Sequence, residues 1–432
     1  MTQRKMKDSG VAWIGQVPEG WSVERVKYYF EVITGNGFKP ELQGLTDGDY
    51  PVCKASDIAQ CARDLYSSAN WITKEIAKIE RFNVIPNGSI LFPKIGEAMK
   101  KNSRAIARVN CCADNNCQGL LAKGIDVEYS YYLFLCIDMN WFDNAGTIPC
   151  LNNQKLKGSS IPYPLISEQR KIAAFLDGEC GKIDMLRGKV EKQIAALEEY
   201  RKSVITEAVT KGIRRGRKMK PSGVEWFDTI PTEWSCKRIK FFCYEITDGS
   251  HFSPQGYDDG FPYVTATDVR GVGIDFSKTI KISEEDYQQL VRSGCSLKKD
   301  DVLLVKDGAT TGRVGYMTDN TPSVALSSVA MLRSKSNCSK FLMYVMMSNA
   351  VQEQILLSMA GSAMPRTTVS KIGEYYVTEP PISEQREIAA YLDKKCAAID
   401  SLVGKCREEL DRLAEYKKSL IYEYVTGKKE VA

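Results

Sequence analysis

The chain contains one histidine, His251, set in the string Asp248-Gly249-Ser250-His251. With no second imidazole, histidine general-base catalysis and most zinc sites lose their usual ligand, and the string reads as a turn. Cys111, Cys112 and Cys117 lack the paired spacing of a zinc site and have no second cluster, so they read as isolated reduced thiols and no metal is expected. The glycine-rich run 308–313 ends without the Gly-Lys-Ser/Thr of a phosphate loop, and Gly35-Asn36-Gly37 lacks the third glycine of a dinucleotide fingerprint. Glu379-Pro380-Pro381-Ile382 lacks both the first residue and the aromatic of the Asn/Asp-Pro-Pro-aromatic tetrapeptide of adenine methyltransferases. No catalytic residue and no cofactor site is expected in this chain, so any chemistry belongs to a partner.

What remains is hydrogen-bonding and cationic chemistry on loops. Lys94-Ile95-Gly96 leads into Lys100, Lys101, Asn102, Ser103 and Arg104, and Lys306-Asp307-Gly308 leads into Thr310, Thr311, Gly312 and Arg313. A second polar loop recurs as Asn152-Asn153-Gln154-Lys155 and Pro365-Arg366-Thr367-Thr368. Lysine and arginine neutralise phosphates, while Asn, Ser, Thr and Arg on a protruding loop can hydrogen-bond base edges. The candidates for approaching double-stranded DNA are therefore Lys94, Lys100, Lys101, Asn102, Ser103, Arg104, Asn153, Lys155, Lys306, Thr310, Thr311, Arg313, Arg366 and Thr367. Taken singly, the first pair of loops reads better as solvated turns, and the second pair reads equally as helix caps. Recurrence at one place in both halves favours a shared role. The tract 211–220 carries Lys211, Arg214, Arg215, Arg217, Lys218 and Lys220 and no acid; it suits phosphates or the carbonyl end of a preceding helix.

The elements that must position these loops occur twice. Met6-Lys7-Asp8-Ser9-Gly10-Val11-Ala12-Trp13 returns as Met219-Lys220-Pro221-Ser222-Gly223-Val224-Glu225-Trp226, and Pro18 with Trp21 returns as Pro231 with Trp234. Residues 1–160 and 216–375 alternate short β-branched or aromatic runs, such as Ser89-Ile90-Leu91-Phe92 and Asp301-Val302-Leu303-Leu304-Val305, with Gly, Pro and Asn turns. Helical stretches near 131–138 and 341–358 follow them, so each is expected to be an α+β domain.

Residues 167–210 align without a gap to 383–426 and share more than half their residues. Leu176, Ile183, Val190, Leu197 and Val204 recur every seven residues, matched by Leu392, Ile399, Cys406, Leu413 and Leu420. Leu186 with Tyr200, and Leu402 with Tyr416, are expected to form a companion seam, with charged residues filling the rest as in a coiled coil. Ser167 and Ser383 suit N-caps, Pro164 and Pro381 stop any earlier helix, and Gly212 and Gly427 suit C-caps. Such a segment makes a rod of roughly 65 Å. The spacing predicts two globular domains (1–160 and 216–375) alternating with two long helices (161–215 and 376–432). The helices would pair as an intramolecular antiparallel coiled coil with pseudo-twofold symmetry, a caliper with one domain at each end.

The bulk numbers agree. The 432 residues suffice for two to four domains; 43% hydrophobic and 26% charged residues are an ordinary globular balance. No apolar run reaches the roughly 20 residues of a membrane helix, and no secretory signal opens the chain. Fourteen cysteines read as reduced thiols, which points to a cytoplasmic protein away from membranes. A formal charge of +5 permits nucleic acid as a partner without requiring it.

These motifs carry a family likeness. Ser-Gly-Val-x-Trp with Pro and Trp downstream in both halves, Ile246-Thr247-Asp248-Gly249-Ser250-His251, and Ser-Glu-Gln-Arg-x-Ile-Ala-Ala opening both heptad helices resemble the specificity subunit of type I restriction-modification enzymes. The likeness spans essentially the whole chain. It implies two target-recognition domains, each reading half of a split, asymmetric DNA site, with the helices setting the unread spacer. It also implies two modification subunits that bind S-adenosylmethionine, flip out adenine and methylate its N6, and restriction subunits that use ATP and Mg. In the first half Ile33-Thr34-Gly35-Asn36-Gly37-Phe38 replaces the Asp-Gly-Ser-His turn, a departure from the pattern. Two rival readings are a coiled-coil scaffold without sequence-specific DNA recognition and a single-chain enzyme that modifies or cuts DNA. The first leaves the duplicated basic loops unexplained; the second needs a motif the chain lacks.

Overall fold

The computed structural model describes residues 4–144, 146–334, 337–359 and 365–431. The chain divides into two compact units, Met1–Val190 with Glu408–Ala432, and Glu191–Arg407. This division cuts through both long helices instead of following the four segments read from the sequence.

In the first unit a five-stranded sheet has the order Phe30–Thr34, Cys117–Ala122, Ser89–Pro93, Ala105–Ala107, Asp64–Leu65. All its pairings are antiparallel except the last. A three-stranded sheet, Cys112–Ala113, Tyr50–Cys53, Trp71–Ile72, lies beside it in the topology. The second unit repeats both orders: Glu245–Asp248, Val329–Arg333, Val302–Val305, Val314–Tyr316, Gly271–Val272, and then Ile280–Ile282, Phe261–Val264, Val324–Ala325. The α+β expectation holds in both halves.

Period-two alternation sends strand residues to opposite faces. Ile90 and Phe92 join one core with Tyr129, Leu133 and Phe134 of helix Val127–Cys136, while Leu91 joins another with Cys53, Leu65 and Ala105. Both faces are covered, which is why these strands read as continuous apolar runs. The second unit does the same, with Val302 and Leu304 packing under Phe341 and Val345, and Leu303 and Val305 facing Val264 and Val329. The stretch read as one helix at 341–358 is two, Ser339–Met347 and Asn349–Ser358, broken at Ser348.

The long helices span Ile166–Lys211 and Ile382–Val425. They begin one residue before Ser167 and Ser383, so these serines sit in the first turn rather than capping it. Gly212 and Gly427 have φ of +78° and +71°, the left-handed conformation that closes a helix. Within the first unit Leu176 and Ile183 pack with Leu420 and Ile421, and Lys417 pairs with Asp184 at 2.7 Å. Within the second, Ile205 packs with Ile388 and Leu392, and Arg201 pairs with Asp400 at 2.8 Å. Numbers rise on one helix as they fall on the other, so the pairing is antiparallel.

Along the two helices Leu176, Ile183, Val190, Leu392, Ile399, Cys406 and Leu420 are buried, and Leu197, Val204 and Leu413 are half-buried. The residues expected to accompany them are more open. Leu186, Tyr200, Leu402 and Tyr416 are 47%, 53%, 47% and 56% exposed, and Cys180, Cys396 and Val403 are buried in their stead. The partner helix approaches from the i+4 flank of each seam residue rather than the i+3 flank. Arg201 and Lys417 also stand on that flank, their stems at the seam and their charged ends on Asp400 and Asp184.

Each recognition body is tied to the helices by matching bonds. Tyr132 donates to Asp177 at 2.6 Å and Tyr344 to Asp393 at 2.8 Å. The repeated Gln of Ser-Glu-Gln-Arg caps the sheet-covering helix: Gln169 accepts from the Asp126 amide at 2.8 Å, and Gln385 from the Cys338 amide at 3.0 Å.

Candidate nucleic-acid interface

In both units the candidate loops meet along one rim of the large sheet. The strand Ser89–Pro93 ends at Lys94, whose amide donates to the Asn116 carbonyl at 2.7 Å and whose carbonyl accepts from the Leu151 amide at 2.9 Å. Lys306, after Val302–Val305, repeats this with Ser328 at 2.8 Å and Thr367 at 2.9 Å. Two residues on, Gly96 donates to Pro149 at 2.8 Å and Gly308 to Pro365 at 3.0 Å. Both glycines need the left-handed backbone, with φ of +69° and +91°.

Three further loops join the same chain of backbone bonds. Asn36 donates to Ala113 and Asp114 to Cys53; in the second unit Ser250 donates to Ala325 and Leu326 to Val264. The rim therefore includes the turns at Gly35 and Gly249, at Lys54 and Thr265, and at Asp114 and Leu326. None of these turns is among the residues that sequence spacing marks, and the family likeness sets the first-half turn at Gly35 outside its pattern. A Cβ on Gly35 would lie 1.9 Å from the Asp114 carbonyl oxygen, and one on Gly249 would lie 2.0 Å from that of Ala325. The two turns are one structure carrying different side chains, and the shared Thr-Gly or Asp-Gly step was the available signal.

The side chains divide by exposure. Lys100, Lys101, Lys155, Arg313 and Arg366 are exposed; Lys94, Asn102, Ser103, Asn153, Thr310 and Thr311 are half-buried. Lys100 pairs with Glu97 at 2.6 Å and Arg366 with Asp307 at 2.9 Å, whereas Lys94, Lys101 and Arg313 form no ion pair among the described residues. Lys155 donates to the Asp143 carbonyl at 3.0 Å. Asn153 exchanges amide bonds with Gln118 at 2.8 and 3.2 Å. Thr311 donates to the Gly308 carbonyl at 2.7 Å. Residues 96–100 form a short helix rather than an open loop.

Three candidates are interior, so the structure corrects their placement at the surface. Arg104 is buried over the Phe92 ring, donating to Asn102 Oδ1 at 2.5 Å, the Ser103 carbonyl at 2.8 Å and the Ile137 carbonyl at 3.3 Å. Burial pulls its pKa down to about 9. Asn102 holds this clamp from a left-handed conformation, φ +56°. Lys306 is buried between Asp307 at 3.0 Å and Asp248 at 3.3 Å. Thr367 is buried against the Tyr375 hydroxyl at 2.6 Å. In the first unit Thr34 stands where Asp248 stands in the second, so Lys94 has no matching acid.

The second pair of loops does cap helices. Asn152 accepts from the Gln154 and Lys155 amides at the head of Asn153–Gly158, and Thr368 accepts from the Lys371 amide at the head of Val369–Glu374. The linking tract also has structural work. Arg217 pairs with Glu384 and Arg214 with Glu387, both in the first turns of the second long helix.

The rim presents cations, amides and hydroxyls on rigid turns, which suits phosphate contact and base-edge hydrogen bonding. His251 is exposed in its turn, burial pushes the Cys112 thiol up to about 12 and Cys117 higher, and the described residues contain no cluster of three metal-ligating side chains. Among them, no helix is long and apolar enough to cross a membrane.

The profile of the family described as "Type I restriction modification DNA specificity domain" matches residues 18–194 and 232–411, one match per half. The type I restriction enzyme MjaVIII specificity subunit of Methanocaldococcus jannaschii is 24% identical, over 96% of this chain and 94% of its own. The MjaIX specificity subunit of the same organism is 24% identical over 85% of each. A solved chain from work on complex assembly and conformational transition of the type I R-M system matches with a TM-score of 0.67 at 15% identity. It covers 96% of this chain and 99% of the other.

Proposed function

The chain belongs to the type I restriction modification DNA specificity domain family, and from that premise we propose that each rim reads one half of a bipartite, asymmetric DNA site. It is a specificity subunit, the non-catalytic component of its complex, recognising DNA sequence through two domains. The observation that carries the split target is the rim itself. Five loops joined by equivalent backbone bonds occur once in each unit and present different side chains at equivalent places, Ile95 and Cys150 against Asp307 and Arg366. Equal frames with unequal side chains suit two unequal half-sites.

Lys101, Lys155 and Arg313 contact phosphates, with Lys94, Lys100, Asn102, Ser103, Asn153, Thr310 and Thr311 alongside them. The paired long helices set the unread spacer and dock two modification subunits, which methylate adenine at N6 with S-adenosylmethionine. Restriction subunits using ATP and Mg complete the assembly. The exposed Leu186, Tyr200, Leu402 and Tyr416 support the docking, since they stand at matched positions on both helices and keep about half of their surface open to solvent. Reduced thiols throughout and DNA as the target support a cytoplasmic location.

The test is co-expression with the modification subunit, followed by mapping of N6-methyladenine in host DNA. A split motif is expected, and replacing residues 1–160 with those of another specificity subunit should change one half alone. A continuous motif, or two unchanged halves, would sink the proposal.

A further inference from the structure

We infer that Arg366 reads a guanine in the half-site bound by the second recognition domain. The inference rests on the reading that this rim contacts DNA, and it names the base chemistry of one contact.

Four alternating charges run along the rim of the second unit, with the buried Lys306 held between the half-buried Asp248 and Asp307 and the exposed Arg366 at one end. Asp248 lies 3.3 Å from the Lys306 ammonium, Lys306 lies 3.0 Å from Asp307 Oδ2, and Asp307 Oδ1 lies 2.9 Å from Arg366 Nε. Lys306 is buried, with 3% of its side chain exposed, whereas Arg366 is 59% exposed. The row of charges thus has a buried cation between two carboxylates and an exposed cation at one end.

The backbone beneath Arg366 is equally held. Arg366 and Asp307 form an antiparallel bridge, Thr367 donates its amide to the Lys306 carbonyl at 2.9 Å, and the buried Thr367 hydroxyl meets Tyr375 at 2.6 Å. The ion pair with Asp307 restrains rotamer freedom that an exposed arginine otherwise loses on binding. It also leaves Nη1 and Nη2, which have no hydrogen-bond partner among the described residues. Two parallel donors on a planar fork match the N7 and O6 acceptors that guanine alone presents in the major groove. The four charges sum to zero, so Arg366 contributes directional donors more than long-range attraction. That is the signature of a base reader rather than a phosphate clamp.

The first unit has Ile95 and Cys150 at the bridge equivalent to Asp307 and Arg366. It cannot make this contact, so the guanine belongs to one half-site only.

The experiment compares the wild-type chain, Arg366→Ala and Asp307→Asn, each co-expressed with the modification subunit, by mapping N6-methyladenine. The wild-type motif is expected to contain a guanine in the second domain's half-site. Arg366→Ala should lower discrimination at that one position by about 5- to 150-fold and leave the other positions as they were. Asp307→Asn, which keeps the fork and removes its charged anchor, should loosen the same position less. In binding assays with the purified complex, 7-deazaguanine at that position, which lacks the N7 acceptor, should weaken the wild type and leave Arg366→Ala unaffected. A split motif with no guanine in that half-site overturns the inference. So does an Arg366→Ala variant that loses methylation evenly with its base preference intact. A wild-type motif that is not split removes the underlying reading and this inference with it.

Discussion

Trp234 donates its indole N–H to Glu384 at 2.9 Å, joining the hairpin that opens the second half to the first turn of the second long helix. Trp21 makes the same bond to Glu168 at 2.9 Å in the first unit. Each carboxylate also pairs with an arginine lying over the same indole, Arg217 and Arg4. The end of the other long helix closes against this joint. A Cβ on Gly212 would lie 3.2 Å from the Trp234 ring, and one on Gly427 would lie 2.9 Å from Trp21. The tryptophans and the Ser-Glu-Gln-Arg strings recur together because they form one joint.

Trp234→Phe keeps an aromatic ring but removes the donor and some packed volume, leaving a buried carboxylate one bond short. A loss of about 1–3 kcal/mol is expected in urea unfolding of the full chain. Trp21→Phe should cost less, because the Glu168 side chain is 26% exposed and water can replace the indole, against 5% for Glu384. Equal losses at the two sites would contradict the burial argument.

Leu186→Asp and Leu402→Asp alter side chains that touch solvent along the helix pair. Each should leave stability within about 0.5 kcal/mol of the parent. Both together should abolish co-purification with the modification subunit, because a carboxylate in an apolar interface is left unpaired. Retention of the whole complex by the double variant would remove these residues from the docking surface.

Inserting one heptad, roughly 10 Å of helix, into both long helices should lengthen the unread spacer by about 3 base pairs. Sequencing the methylated sites reads the spacer directly. An unchanged spacer would mean that something other than the helices sets it.

Much of this architecture is legible in the residues because it depends on local periodicity. The duplication, the α+β bodies and the seam from Leu176 to Val204 each follow from spacing within one segment. What escapes is decided by partners distant in sequence. Leu186 and Cys180 flank the same seam, and only the approach of the second helix determines which is buried. Arg104 and Lys306 look like surface cations until Phe92 and Asp248 are brought over them. Asp307 and Arg366 are far apart in the chain, so their pairing could not be read, although both loops were marked. Gly35 and Gly249 stayed unmatched for another reason: the likeness lies in their backbones and the difference in their side chains.

The five rim loops are stitched to one another through main-chain amides and carbonyls, bonds that do not depend on which side chain a position carries. Away from fixed points such as Gly35 and Gly249, substitutions on the rim should change what is read without unmaking the reader. Such a frame can acquire a new target in single-residue steps, each variant still folded and still able to join its complex.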